Sequence, residues 1–482
     1  MNTERVTASS DQIERAARLL ALGELVAFPT ETVYGLGCDA LNVDAARKVF
    51  VAKGRPADNP LIVHLADWEM LSQVSAMPLP PLAARLAERF WPGALTLVVR
   101  ANDRVPLEVR GGLDTVAVRM PSHPVARELI QKLGRPIAAP SANRSGRPSP
   151  TDAEAVYEDL AGRIALVLDG GASPLGLEST VIDVTVDPPT LLRPGGISRR
   201  DIEEIVGPLA EPTGSGQHRS PGTRYRHYAP KAQVVVISSE DPVVVTSQLQ
   251  ALDRGPGSVA VLAPESWLTR LRSPTILSFS LGETVDEGAQ YLFQGLRQLD
   301  RMDPEYIAVI WNHHQGVGEA VLNRLHKAQG LGNDSILFVC TGNTCRSAMA
   351  EALWNHRYGI FTAHSAGLMA HLGAGAAPAA MKAVSKLGAS LAHHRAKPLD
   401  SVAQEPRFVL TMTQDQAEAV KRMRPNWAER VWRLSDLVGD PSGDISDPYG
   451  GSDQEYEAVA QQLDGLLLKL WQVVWDRMSK DS

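Results

Sequence analysis

The stretch "ILFVCTGNTCRSAMAEAL", Ile336–Leu353, is an apolar run, a polar loop and a helix-forming segment in immediate succession. It reads as strand, loop and helix, which places this part of the chain in the α/β class. Cys340 closes the strand, and Arg346 follows it after five residues. In a loop of this size the backbone N–H groups of Thr341, Gly342, Asn343, Thr344 and Cys345 can turn inward around a tetrahedral anion. Arg346 adds a planar two-pronged donor. The helix N-terminus and Arg346 both favour a thiolate at Cys340, and Ser347 can donate a hydroxyl to it, so Cys340 is expected to be a nucleophile. A zinc site needs about four ligands, and no second Cys or Cys/His pair lies nearby, so no metal ligand is expected. Cys345 reads as a packed thiol or as a resolving partner that guards Cys340 against oxidation.

Phosphoryl transfer through a thiolate also needs an acid for the leaving group. "ISDPYGGSDQEY", Ile445–Tyr456, offers Asp447 in a loop fixed by Pro448. With "HSAGLMA", "HHRAKPLD" and "VLTMT", the region 335–478 resembles the low-molecular-weight phosphatase family. The resemblance implies that Cys340 attacks phosphorus, Arg346 clamps the phosphoryl oxygens, and Asp447 protonates the leaving group and then activates water, with no cofactor. The loop "CTGNTCRS" and the "DPYGG" stretch look like the protein-arginine phosphatase branch. There Thr344 would select phosphoarginine, its hydroxyl accepting from a guanidinium; the alternative is phosphotyrosine. Ala348 stands where the family often has proline, outside the anion loop. Arsenate reductases of this fold use further cysteines downstream, and none follows Cys345.

Outward from this segment, the chain has 482 residues, a net charge of −7 and three cysteines. Length alone suggests about three domains. The charge gives no overall basic footprint for nucleic acid, although a local groove stays possible. So few cysteines fit a reducing compartment. No signal peptide or membrane span is read, so the expected location is the cytoplasm. Ser9 and Gln12 suggest a capping box before a helix with Ile13, Ala16, Ala17 and Leu20 on one face. Strands are expected at "LVAFP", "ALTLVV", "TVAV", "PIAAP" and "TVIDV" in a mixed α/β domain ending near Val206. A Gly/Pro/Ser-rich linker follows over 207–230. A second α/β pattern starts at Lys231 with "AQVVVIS", "SVAVLAP" and "YIAVIW", and a long amphipathic C-terminal helix closes the last domain.

The first domain carries "FPTETVYGLG" (Phe28–Gly37), "KGRPADNPLIVH" (Lys53–His64), "PSANRSGRPSPT" (Pro140–Thr151), "LESTVID" (Leu177–Asp183) and "LLRPGGIS" (Leu191–Ser198). Singly each is an ordinary turn or cap. Jointly they supply cations, hydroxyls and glycine-permitted backbone approach, as a polyphosphate requires. The set resembles the threonylcarbamoyl-AMP synthase family over 10–206. That family condenses L-threonine, bicarbonate and ATP into threonylcarbamoyl-adenylate and pyrophosphate, and another complex then transfers the group to tRNA. By resemblance, Lys53, Arg55, Asn59, Thr115, Ser141, Asn143, Ser149 and Arg193 lie at ATP, with Mg²⁺ accompanying it. Thr32, His64, Arg119 and Ser179 would hold threonine. No enzyme nucleophile is needed, so Cys38 is expected to be a packed thiol.

The middle segment, with "LFQGLRQLDRMDPEYIAVIW" and "GEAVLNRLHKA", resembles the extra C-terminal domain of the longer synthases. "SPGTRYRHYAP" (Ser220–Pro230) resembles their linker, which lies over the active site as a lid, and Tyr228 would touch the nucleotide. The expected architecture is therefore α/β throughout. A YrdC-like twisted mixed sheet spans 10–206 and a lid 207–230. A small Rossmann-like domain spans 231–328, and a phosphatase fold with a parallel sheet spans 334–480. Expected partners are L-threonine, bicarbonate, ATP, a phosphoarginine protein and the downstream tRNA-modifying complex, with no membrane. An RNA-binding or regulatory module on the N-terminal fold is the competing reading, and RNA contact stays open.

Overall fold

The computed structural model describes residues 2–56, 59–210, 228–253, 255, 257–271, 277–329, 336–358, 363–392, 394–402 and 406–478. The expected lid falls largely on residues outside these. The chain divides into two compact units, 1–235 with 249–330, and 236–248 with 331–482.

The first unit is built on a ten-stranded twisted sheet. Its order is Glu4–Thr7, Leu166–Asp169, Val26–Phe28, Gly35–Asp39, Ile137–Ala138, Ile62–His64, Thr115–Arg119, Leu95–Arg100, Thr180–Asp183 and Thr190–Arg193. The sheet is mixed: Ile62–His64 runs parallel to Thr115–Arg119, and Leu95–Arg100 runs antiparallel to it. Its central strands are buried along their whole length, polar residues included. The expected strands are present, and five more join them. Glu4–Thr7 is polar and pairs with a strand about 160 residues later. Gly35–Asp39 lies within the stretch read as a glycine-rich turn; it pairs antiparallel with Val26–Phe28, where a Cβ on Gly37 would meet Phe28 at 2.7 Å. Ile62–His64 and Thr190–Arg193 are the others beside Leu166–Asp169. The first helix, Ser10–Ala21, buries Ile13, Ala16, Ala17 and Leu20 as expected. Ser9 accepts from the Gln12 amide there, half of the expected box.

In the middle segment a four-stranded sheet has the order Gln233–Ile237, Tyr306–Ile310, Val259–Ala263 and Leu277–Ser280. The last strand has no expectation behind it. Helices Val285–Asp300 and Val317–Ala328 bring Arg297 and Arg324 into the first unit's interior.

The second unit has a four-stranded parallel sheet ordered Ala363–Gly367, Ile336–Cys340, Phe408–Thr411 and Val431–Arg433. Ile336–Cys340 is buried throughout and runs into the loop that precedes helix Arg346–Tyr358. Helix Asp453–Met478 closes the chain. No described helix is long and apolar enough to cross a membrane.

Candidate active sites

In the first unit a cavity opens at one end of the strands Ile62–His64 and Thr115–Arg119. Register pairs His64 with Arg119, so both strand ends deliver their side chains together. Thr32, His64, Arg119 and Ser179 all line the cavity, as do Arg55, Ser141, Asn143, Arg193 and Tyr228. Four expected nucleotide residues are placed differently. Lys53 is buried behind the cavity and donates to the Ser141 and Asn143 carbonyls, and to Asn143 Oδ1 at 3.3 Å. Ser149 reaches the wall through Glu178 Oε1 at 2.5 Å. Asn59 presents its carbonyl to Arg55 Nη2 at 3.5 Å. Thr115 begins the strand that Arg119 ends, opposite Arg100.

Of the threonine-side groups, Arg119 and Thr32 are joined directly. Arg119 donates from Nη1 to Thr32 Oγ1 at 2.8 Å and from Nε to the Gly93 carbonyl at 3.0 Å, and it pairs with Glu31 at 2.7 Å. Burial raises the Glu31 carboxyl, but the Arg119 charge, together with hydrogen bonds from Arg119 and the backbone, more than offsets this and holds it below its ordinary value. His64 Nδ1 faces the Ile62 carbonyl at 3.1 Å, which assigns the proton to Nδ1 and leaves the Nε2 lone pair available. Burial, and then Arg119, push the His64 pKa down to about 3, so the ring is neutral near pH 7.

Arg193 donates from Nε and Nη2 to the Ser179 carbonyl at 3.1 and 3.0 Å, and from Nη2 to Ser179 Oγ at 3.2 Å. Gly195 follows in the same loop. A Cβ there would stand 2.4 Å from the Glu178 carbonyl oxygen, so only glycine allows this approach. Burial, and next the proximity of Arg55, draw the Lys53 ammonium well below its ordinary pKa.

Sequence reasoning missed Glu178, Glu31 and Arg324. Glu178 lines the cavity and is buried. Burial raises its carboxyl, but Arg324, Arg193 and Ser149 more than offset that and hold it at about 2. The quoted motifs "LESTVID" and "GEAVLNRLHKA" contain both partners, but an ion pair between residues 146 positions apart has no local signal. Cys38 is fully buried, and burial pushes its thiol up, which fits a packed thiol.

In the second unit, Ser347 Oγ stands 3.0 Å from Cys340 Sγ, and the Asn343 amide reaches the same sulfur at 3.3 Å. Asn343 adopts φ +55°, a left-handed turn that bends the loop around the sulfur. Its Nδ2 donates to Ser365 Oγ at 2.7 Å and to Ser347 Oγ at 3.0 Å, and its Oδ1 accepts from the Lys397 amide at 2.9 Å. Thr341 Oγ1 accepts from Gln416 Nε2 at 3.1 Å. Arg346 donates from Nη1 to the Ile445 carbonyl at 2.9 Å and pairs with Asp447, while its Nε is buried without a partner among the described residues. The Asp447 carboxylate is about half exposed, as a proton donor to an incoming group must be. Cys345 Sγ lies 3.3 Å from Tyr456 Oη and 3.6 Å from Thr344 Oγ1, and burial raises its thiol. Gly342 and Thr344 complete the loop.

Three families match the chain. The one described as "Telomere recombination" matches residues 18–195, and "Threonylcarbamoyl-AMP synthase, C-terminal domain" matches 197–330. "Low molecular weight phosphotyrosine protein phosphatase" matches 335–480. The threonylcarbamoyl-AMP synthase of Pyrococcus abyssi is 47% identical over 327 residues, covering 66% of this chain and 94% of that protein. That of Bacillus subtilis is 45% identical over 333 residues, covering 68% and 96%. The crystal structure of P. abyssi Sua5 complexed with L-threonine superposes with a TM-score of 0.62 at 44% identity, covering 68% of this chain and 97% of that one.

Proposed function

The chain belongs to the threonylcarbamoyl-AMP synthase family, and on that premise we propose that its first unit condenses L-threonine, bicarbonate and ATP into threonylcarbamoyl-adenylate for tRNA modification. One observation carries this reading: a single cavity gathers Arg119, Thr32, neutral His64 and Ser179 with Arg55, Ser141, Asn143 and Arg193. The Arg119 fork receives the threonine carboxylate, and His64 Nε2 accepts a proton-bearing group of the amino acid. The threonine amine adds to the carbon of bicarbonate with loss of water. A carbamate oxygen then attacks the α-phosphorus of ATP, and pyrophosphate leaves. Arg55 and Arg193 stabilise the charge that collects on the phosphates, and Lys53 holds the Ser141–Asn143 loop in place. Mg²⁺ enters with ATP as part of the substrate. Pyrophosphate release by the purified chain that requires both threonine and bicarbonate is the expected result; release independent of either overturns the reading.

The second unit is proposed to be a cysteine-dependent phosphatase acting on phosphoarginine. The Cys340 thiolate attacks phosphorus, the P–N bond breaks, and Asp447 supplies the proton to the departing guanidine. Asp447 then takes a proton from water, which attacks the cysteinyl-phosphate and releases inorganic phosphate. Thr344, small and hydroxylated at the loop edge, supports the arginine reading. The matched family's description names phosphotyrosine instead, so peptides of both kinds should be compared on wild type and Cys340→Ser. Activity on either peptide that survives Cys340→Ser refutes the mechanism. The domain limits 10–206, 207–230, 231–328 and 334–480 and the residue roles above belong to this proposal.

A further inference from the structure

Two buried arginines of the middle segment reach loops of the synthase site. Arg297 pairs with Asp159 at 2.8 Å and donates to the Pro148 carbonyl at 2.5 Å, and neither Asp159 nor Pro148 lines the cavity. Arg324 is different, because its contacts are wall groups or their neighbours. It is fully buried and donates from Nε to Glu178 Oε2 at 2.9 Å and from Nη1 to the Pro194 carbonyl at 2.6 Å. Pro194 follows Arg193 in the chain. The Arg324 guanidinium carbon also lies 5.7 Å from the centre of the Tyr228 ring, which stacks on Phe293 at 5.3 Å. Tyr228 holds φ +64°, a strained backbone for a bulky residue that needs support from its surroundings.

Stability alone is a poor reason for this arrangement. Arg324 Nη2 is buried without a hydrogen-bond partner among the described residues. A buried ion pair with an unsatisfied donor is often no more stable than an apolar replacement. What the guanidinium does uniquely is fix three pieces at once: the Glu178 carboxylate, which anchors Ser149; the turn after Arg193; and the face of Tyr228.

We infer that Arg324 is a positioning residue of the synthase site, setting the nucleotide wall formed by Glu178, Arg193 and Tyr228 without itself touching the reacting atoms. The inference rests on the proposed synthase reaction. It assigns the middle segment a part in ATP recognition. Thr32, His64 and Arg119 share no hydrogen bond or ion pair with Arg324 among the described residues, and only Ser179, next to Glu178 and held by Arg193, links the two groups, so the threonine side should be affected less than the nucleotide side.

The test uses the full chain carrying Arg324→Met, Arg324→Lys or Arg297→Met. Each is measured for KM of ATP, KM of threonine, kcat and thermal midpoint, with ATP binding followed separately by calorimetry. Displacement of a positioned group by about 1 Å costs on the order of 10²-fold. Arg324→Met is expected to raise the KM of ATP about tenfold or more, with a smaller rise in the KM of threonine passed on through Ser179. Arg324→Lys keeps the charge but not the fork, so it should fall between. Arg297→Met should lower the thermal midpoint with little change in the KM of ATP. The inference is overturned if the KM of threonine rises as much as that of ATP, if neither Arg324 variant weakens ATP, or if Arg297→Met matches Arg324→Met. Should Arg324→Met fail to fold, Arg324→Lys decides by the same criteria. Absence of pyrophosphate release from wild type would sink the synthase reading, while ATP calorimetry on Arg324→Lys would still judge Arg324.

Discussion

Arg346 and Asp447, 101 residues apart in the chain, form an ion pair beside the Cys340 loop. The guanidinium proposed to clamp phosphate thus holds the proposed acid until substrate arrives. A phosphoryl group must displace the carboxylate from Arg346, which frees Asp447 to face the leaving group.

That exchange gives the first prediction. Asp447→Asn removes the acid, and kcat on phosphoarginine peptide should fall about 10²–10⁴-fold. It also removes the competitor for Arg346, so inorganic phosphate should inhibit the variant at least as tightly as wild type. Steady-state kinetics with phosphate as inhibitor reads both. An unchanged kcat would remove Asp447 from the mechanism.

Substrate choice rests on Thr344. Its Oγ1 lies 3.6 Å from Cys345 Sγ, at the edge of the loop. Thr344→Ile removes an acceptor for guanidinium N–H and adds apolar bulk suited to an aromatic ring. The ratio of kcat/KM for phosphoarginine over phosphotyrosine peptide should drop about tenfold or more. An equal ratio in the two proteins would show that selectivity lies elsewhere.

The loop after Arg193 yields a prediction from packing. Gly195→Ala would place a methyl group 2.4 Å from the Glu178 carbonyl oxygen, and backbone on both sides has to move. Overpacking of this kind costs about 1–3 kcal/mol. Because Glu178, Ser179 and Arg193 move with it, both ATP and threonine should bind less tightly. Thermal unfolding and ATP titration test this together, and a variant that is wild-type in both would disprove the tight approach.

These loops also mark how far the sequence could be read. Val259–Ala263, Tyr306–Ile310 and Ile336–Cys340 were legible because a buried parallel strand is a continuous apolar run. Glu4–Thr7 was not, because its polar residues form a strand only through pairing with Leu166–Asp169. The Cys340 loop was readable because its chemistry is contiguous. Glu178 and Arg324 were not, because each looks like an ordinary surface charge until folding buries them together. Lys53 was readable as a site residue, but its placement behind the Ser141–Asn143 loop depends on tertiary packing.

The last prediction concerns His64 and acid. Its folded pKa is about 3 against an ordinary 6.5, so between these values the unfolded chain binds a proton that the folded chain refuses. Stability then rises with pH: this contribution is complete above about 6.5 and is lost as pH falls toward 3. From pH 7 to 5 the loss is about 2 kcal/mol, at about 1.4 kcal/mol per pH unit over most of the interval. His326, drawn down to about 4 by burial and then His314, and His123, lowered by burial, act in the same direction. Glu178, held at about 2, contributes only at lower pH. The informative quantity is therefore the difference between wild type and His64→Gln, which cannot take up the proton. The first unit's unfolding transition, identified by its upward move with threonine or ATP, should shift less between pH 7 and pH 5 in His64→Gln by about 2 kcal/mol. Parallel shifts in the two proteins would mean that His64 is not held neutral by its burial beside Arg119.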